Sequence, residues 1–88
     1  MIVIKVLIWD VWNKEHIAKH GITIQEVEEI CYGEREITES YRKRILLEDE
    51  TKEGKRIAII LSPEDRDLQT YGQGIYYPIT AYIKEVNK

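Results

Sequence analysis

Residues 56–62 read Arg56-Ile57-Ala58-Ile59-Ile60-Leu61-Ser62, and this stretch decides the fold. It is a nearly continuous apolar run, which predicts a central strand covered on both faces. Upstream, Glu50–Gly54 has the composition of a hairpin turn. Before that turn, residues 35–41 and 42–48 read as two short strands or one long bent one. Downstream, residues 63–74 form a longer polar loop, and residues 75–81 (IYYPITA) make a further strand. Pro78 lacks an N–H, so it demotes that strand to an edge or a bulge.

Further out, residues 2–9 (IVIKVLIW) are β-branched and aliphatic with no helical period, and read as a well-buried strand. Asp10 ends the run and can cap the next element. Residues 13–20 (NKEHIAKH) predict a short helix with Asn13 as its cap and Gly21 as the left-handed residue beyond its end. Lys19 and His20 fall in its last turn, where the helix dipole favours positive charge. Two turns of helix do not stand alone, so Ile17 must pack against something. The second helix starts on a capping box, Thr23-Ile24-Gln25-Glu26, with Ile22 stapling onto Val27. Ile24, Val27, Ile30 and Cys31 mark its apolar face, and Gly33 stops it. Helices early in the chain and a strand meander after them imply an α+β fold. We expect two N-terminal helices packed on one face of a mainly antiparallel sheet of four to five strands.

Composition sets bounds on function. The 88 residues make one domain, and 43% hydrophobic with 33% charged residues fits a folded protein rather than a disordered one. The one cysteine, Cys31, leaves no internal disulfide framework and no cysteine-based zinc cluster. The apolar Met1–Trp9 stretch is too short to span a bilayer, is interrupted by Lys5 and lacks a small-residue cleavage site. No membrane association and a cytoplasmic location are therefore expected. A net charge of −3 speaks against a nucleic-acid partner, but the charge is unevenly spread. Glu26, Glu28, Glu29 and Glu34 fall in residues 23–34 with no base among them, while Arg35, Arg42, Lys43, Arg44, Lys52, Lys55 and Arg56 gather in residues 35–56 against six acids. A local patch, not the total, decides which ligand docks.

Several residues are candidates for chemistry. His16 and His20 share one side of the first helix at i, i+4, a spacing that suits a metal pair. No third ligand is evident, so a helix-end histidine stacked on Trp12 or Trp9 is the better reading and no metal or cofactor is expected. Cys31, on an apolar face without a histidine nearby, reads as a small buried hydrophobe. In Tyr41-Arg42-Lys43-Arg44, strand alternation puts Arg42 and Arg44 on one face and Lys43 with Ile45 and Leu47 on the other. Arg56 begins the neighbouring strand with Lys55 beside it. Such a cluster would bind phosphate and stabilise the charge of a phosphoryl transition state without proton adjustment. The bland reading of the same residues is a solvated edge guarded by charge. Tyr71, Tyr76, Tyr77 and Tyr82 offer surfaces for base stacking, or fill the core in a chain with no Phe. Gly72 and Gly74 make no phosphate loop, since no lysine follows and no helix begins there.

Trp9-Asp10, a short helix ending in Lys19-His20-Gly21, an aliphatic residue, Thr23 and then an acidic helix resemble the BrnT family of toxins. At motif level the resemblance covers about residues 7–33, with the closing Thr80-Ala81 segment added to it. It implies a RelE-like fold and the ribonuclease half of a bacterial type II toxin–antitoxin pair. It also implies a ribbon-helix-helix antitoxin as partner, and either a homo-oligomer or a toxin–antitoxin heterotetramer as the assembly. On this reading an RNA 2′-hydroxyl attacks the adjacent phosphate while Arg42, Arg44 and Arg56 stabilise the charge. His20, Lys55 or Tyr77 assists proton transfer, and Lys43, Lys55, Tyr76 and Thr80 contact the RNA. Tyr82 stands where the family typically has an arginine. With a pI near 5.4, that supports an alternative, a non-catalytic protein- or RNA-binding module on the same fold. A metal enzyme using His16 and His20 is the third reading.

Overall fold

The structure, a computed structural model, describes residues 2–39, 43–64, 67 and 69–84. The apolar run forms one strand over its whole length, Arg56–Ser62, and lies between two others. In chain order the elements are β1 (Ile2–Ile4), β2 (Val6–Leu7), α1 (Val11–Ala18), α2 (Ile24–Cys31), β3 (Gly33–Arg35), β4 (Thr38–Glu39), β5 (Ile45–Glu50), β6 (Arg56–Ser62) and β7 (Ile75–Ile83). The architecture is α+β, with two helices and a mixed five-stranded sheet in the order β2-β7-β6-β5-β4. In that sheet β2 runs parallel to β7, and the other neighbours are antiparallel. A separate antiparallel pair joins β1 to β3.

Alternation along β6 sends Ile57, Ile59 and Leu61 into the core, where they meet Ile45 and Leu47 of β5 and Ala81 of β7. Ile17 of α1 and Val27, Ile30 and Cys31 of α2 join the same cluster, together with Ile4, Leu7 and Ile22. Ala58, on the opposite face, is also buried, because the register flanks this small residue with Glu48 and Tyr82. Thr51–Gly54 turns the β5–β6 hairpin, with Thr51 N–H donating to Lys55 O and Gly54 N–H to Thr51 O.

Two expectations about strands change. Residues 2–9 form two short strands in different sheets, and Val3 and Val6 are exposed rather than buried. The break falls at Lys5, where the Lys5 and Val6 N–H groups both reach Gly74 O at 2.8 and 3.1 Å. Gly74 has φ +81°, and a Cβ there would lie 3.2 Å from Lys5 Cγ, so this crossing needs glycine. Of the strand expected over residues 42–48, residue 42 lies outside the described residues, Lys43 is left-handed with φ 62° and β5 begins at Ile45. Pro78 acts as its chemistry requires. The β6–β7 register slips between the Ile60↔Thr80 and Leu61↔Pro78 pairs, placing a bulge beside the residue that has no N–H.

α1 begins one turn earlier than the Asn13 cap would give. Asp10 is the cap and Asn13 is the third residue of a capping box, donating its N–H to Asp10 Oδ1 and accepting the Asp10 N–H. α2 starts on the Thr23–Glu26 box as expected. Gly21, between the helices, takes φ +76°.

Candidate functional site

One set of polar side chains meets across the fold where α1 runs beside β7. β2 pairs only with Ile75 and Tyr76, so further along β7 the edge is left to α1. Asn13 is fully buried there, and its amide donates to Ile8 O at 2.9 Å and to Pro78 O at 3.0 Å. Both amide hydrogens and the carbonyl oxygen are thus satisfied by backbone, as a buried amide requires. Tyr77, 3% exposed, donates its hydroxyl to Asp10 Oδ2 at 2.8 Å. These contacts stitch the start of α1 to β7.

One turn further along, His16 is half-buried and its Nε2 lies 3.1 Å from Thr80 Oγ1. The Trp12 indole stacks on the imidazole, with centroids 5.0 Å apart and planes within 7°. His20 approaches the same ring edge-on at 5.4 Å. Thr80 and Tyr82 are alternate residues of β7, so they share a face, and Tyr82 is exposed. Imidazoles, a hydroxyl and aromatic surfaces therefore converge at partial exposure. Such a set can bind anions, pass protons and stack on planar rings.

Arg44 and Arg56 do not converge. The register pairs Arg56 with Glu50, and one step past Ile45↔Leu61 places Arg44 level with Ser62. Arg44 and Arg56 are thus at opposite ends of the hairpin, roughly 20 Å apart at the rise of a strand. Arg42 lies outside the described residues. Arg56 Nε donates to Glu48 Oε1 at 3.0 Å, and Lys84 holds Glu48 Oε2 at 2.9 Å. The Lys84 ammonium and Arg56 guanidinium keep the Glu48 carboxyl below its ordinary value, outweighing a small desolvation effect. Arg44 and Lys43 are exposed.

Lys55 is likewise engaged. Its ammonium donates to Gly21 O at 2.8 Å and pairs with Glu26 at 3.0 Å, tying the hairpin turn to the loop between the helices. Burial works to raise the Glu26 carboxyl. The Thr23 N–H and the Lys55 ammonium outweigh it and hold Glu26 below its ordinary value. Cys31 is fully buried, and desolvation pushes its thiol up to about 12, with Arg35 opposing and Glu28 adding slightly. A thiol so placed is a packing group. Tyr76 is half-buried and packs against the core.

Compared with protein-family models, with curated proteins and with solved structures, the chain has no match. Among the described residues, no group of three or more His, Cys, Asp or Glu is placed to hold a metal ion. No helix there is long and apolar enough to cross a membrane.

Of the residues singled out from sequence, Thr80 and His20 meet in this region. Tyr77 is next to it but committed to Asp10, and Lys55 and Arg56 are committed elsewhere. His16 reads from sequence as half of a metal pair or as a stacked helix-end histidine, with nothing to link it to β7. Its partner, Thr80, lies 64 positions away, and no local pattern signals such a contact.

Proposed function

We propose that the chain is a RelE-like toxin of the BrnT kind, an endoribonuclease that cleaves mRNA and is held in check by a ribbon-helix-helix antitoxin. The observation that carries this reading is the α1–β7 surface, where His16, His20 and Thr80 sit among Trp12 and Tyr82. The resemblance in residues 7–33 points the same way, and its residues have clear structural jobs. Asp10 caps α1, Gly21 supplies the left-handed turn and Thr23 caps α2.

In the proposed reaction the RNA 2′-oxygen bonds to the adjacent phosphorus and the bond to the 5′-oxygen breaks. The products are a 2′,3′-cyclic phosphate and a 5′-hydroxyl. An imidazole accepts the 2′-hydroxyl proton and an imidazolium supplies one to the departing oxygen. Arg44, exposed at the far end of β5, is left to approach the RNA backbone, whereas Arg56 and Lys55 serve ion pairs. Acid–base chemistry thus carries more of the reaction than an arginine cluster.

Induced expression tests this directly. Growth arrest with RNA fragments ending in 2′,3′-cyclic phosphate is expected, while intact RNA and unimpaired growth would reject it. The second reading, a non-catalytic module on the same fold, draws on the pairing of Arg56 with Glu48 and of Lys55 with Glu26. It expects a stable complex with a partner protein and no change in RNA.

A further inference from the structure

Proton transfer aside, the α1–β7 surface has the elements of a ligand subsite. We propose that His16, His20 and Thr80 bind the phosphate of a single-stranded ribonucleotide, with Tyr82 as the surface on which its base rests. The inference shares its location with the ribonuclease reading but does not require cleavage.

Three observations carry it. First, His16 is held in place before any ligand arrives: Thr80 Oγ1 fixes one ring nitrogen at 3.1 Å and the Trp12 stack fixes the ring plane. A pre-set donor loses little freedom on binding. Second, the imidazoles have capacity left. Among the described residues, His16 makes one side-chain hydrogen bond and the His20 ring makes none, so a nitrogen of each remains to donate to phosphate oxygen. Two carboxylates tied to β7 or to the residue after it are engaged elsewhere: Asp10 receives Tyr77 and Asn13, and Glu48 receives Arg56 and Lys84. Third, an aromatic surface lies at nucleotide range. Tyr82 is 40% exposed and two residues beyond Thr80 on the same face of β7, about 7 Å along the strand. A base stacks on such a ring without sequence preference. Arg56 and Lys55 hold competing ion pairs, and Lys43 and Arg44 stand exposed without this stacked framework.

The test tracks the imidazole resonances of the intact chain by NMR during titration with uridine 3′-monophosphate, inorganic phosphate and uridine. Saturable shifts of both His16 and His20 with the nucleotide are expected, with weaker binding of inorganic phosphate and of uridine. His16→Gln and His20→Gln should each weaken nucleotide binding about tenfold, the loss of one charge-assisted hydrogen bond. Tyr82→Ala should reduce the preference for nucleotide over inorganic phosphate. Thr80→Val, which keeps the shape of the strand, should weaken binding by loosening His16, and unchanged thermal melting of each variant separates this from misfolding. Imidazoles that do not respond, or equal affinity for nucleotide and inorganic phosphate, would overturn the assignment. Binding without RNA cleavage upholds this subsite and rejects the ribonuclease. Cleavage with silent imidazoles rejects this subsite and moves the ribonuclease chemistry away from the α1–β7 surface.

Discussion

Two polar clusters on β7 differ in what surrounds them. Near its middle, Asn13, Asp10 and Tyr77 join helix to strand through buried or part-buried hydrogen bonds, with the Asn13 side chain fully buried. Beyond its end, Lys84 shares the Glu48 carboxylate with Arg56 where solvent has access. Both clusters involve charged groups at under 3.1 Å, yet they do different work. A buried amide that loses its partners suffers the full desolvation penalty, whereas an exposed ion pair exchanges water for protein at little net gain. The first cluster fixes where α1 lies, and the second adjusts the surface.

The sharpest way to break this contrast is Asn13→Asp. It replaces the amide nitrogen and its two hydrogens with one carboxylate oxygen facing both the Ile8 and Pro78 carbonyls, and should cost about 3 kcal/mol or more in urea denaturation. A cost below that of an ordinary surface change would mean that α1 is not anchored through Asn13. Tyr77→Phe removes only the hydroxyl on Asp10, and a loss of about 1.5 kcal/mol is expected with the fold intact. Lys43→Gly should act in the opposite sense, stabilising by up to about 1 kcal/mol, since a left-handed φ of 62° is strained for lysine. Glu26→Gln is a test by pH. Because the folded carboxyl lies below its ordinary value of 4.5, Glu26 contributes stability above that value and loses it as pH falls through the folded pKa. The stability gap between wild type and Glu26→Gln should therefore be present at neutral pH and close in acid. Glu48→Gln completes the comparison, with no measurable change in the urea midpoint.

The same contrast explains how much of the molecule is legible in its sequence. The β6 run, the Thr23 capping box and the burial of Cys31 are local matters of composition and period, and they appear in the structure as the sequence implies. The split of residues 2–9 is not local, because it depends on Gly74 accepting two N–H groups from a distant part of the chain. The arginine pair illustrates a subtler limit. Alternation says which face a side chain takes, but register says how far along the strand it lies, and register is set by the turn. The tight Thr51–Gly54 turn pairs Glu50 with Arg56, and that alone sends Arg44 to the opposite end. His16 is visible in the sequence as one residue and Thr80 as another, but their contact exists only once α1 lies along β7.

That docking also sets a timetable. His16–Thr80, Asn13–Pro78 and Asp10–Tyr77 join positions 64, 65 and 67 residues apart, and β2 gains its place in the sheet only from β7. During synthesis α1 is made early, and its partners Tyr77, Pro78 and Thr80 follow only after about 60 further residues. Whatever chemistry the surface carries depends on contacts that the growing chain makes only near the end of this stretch.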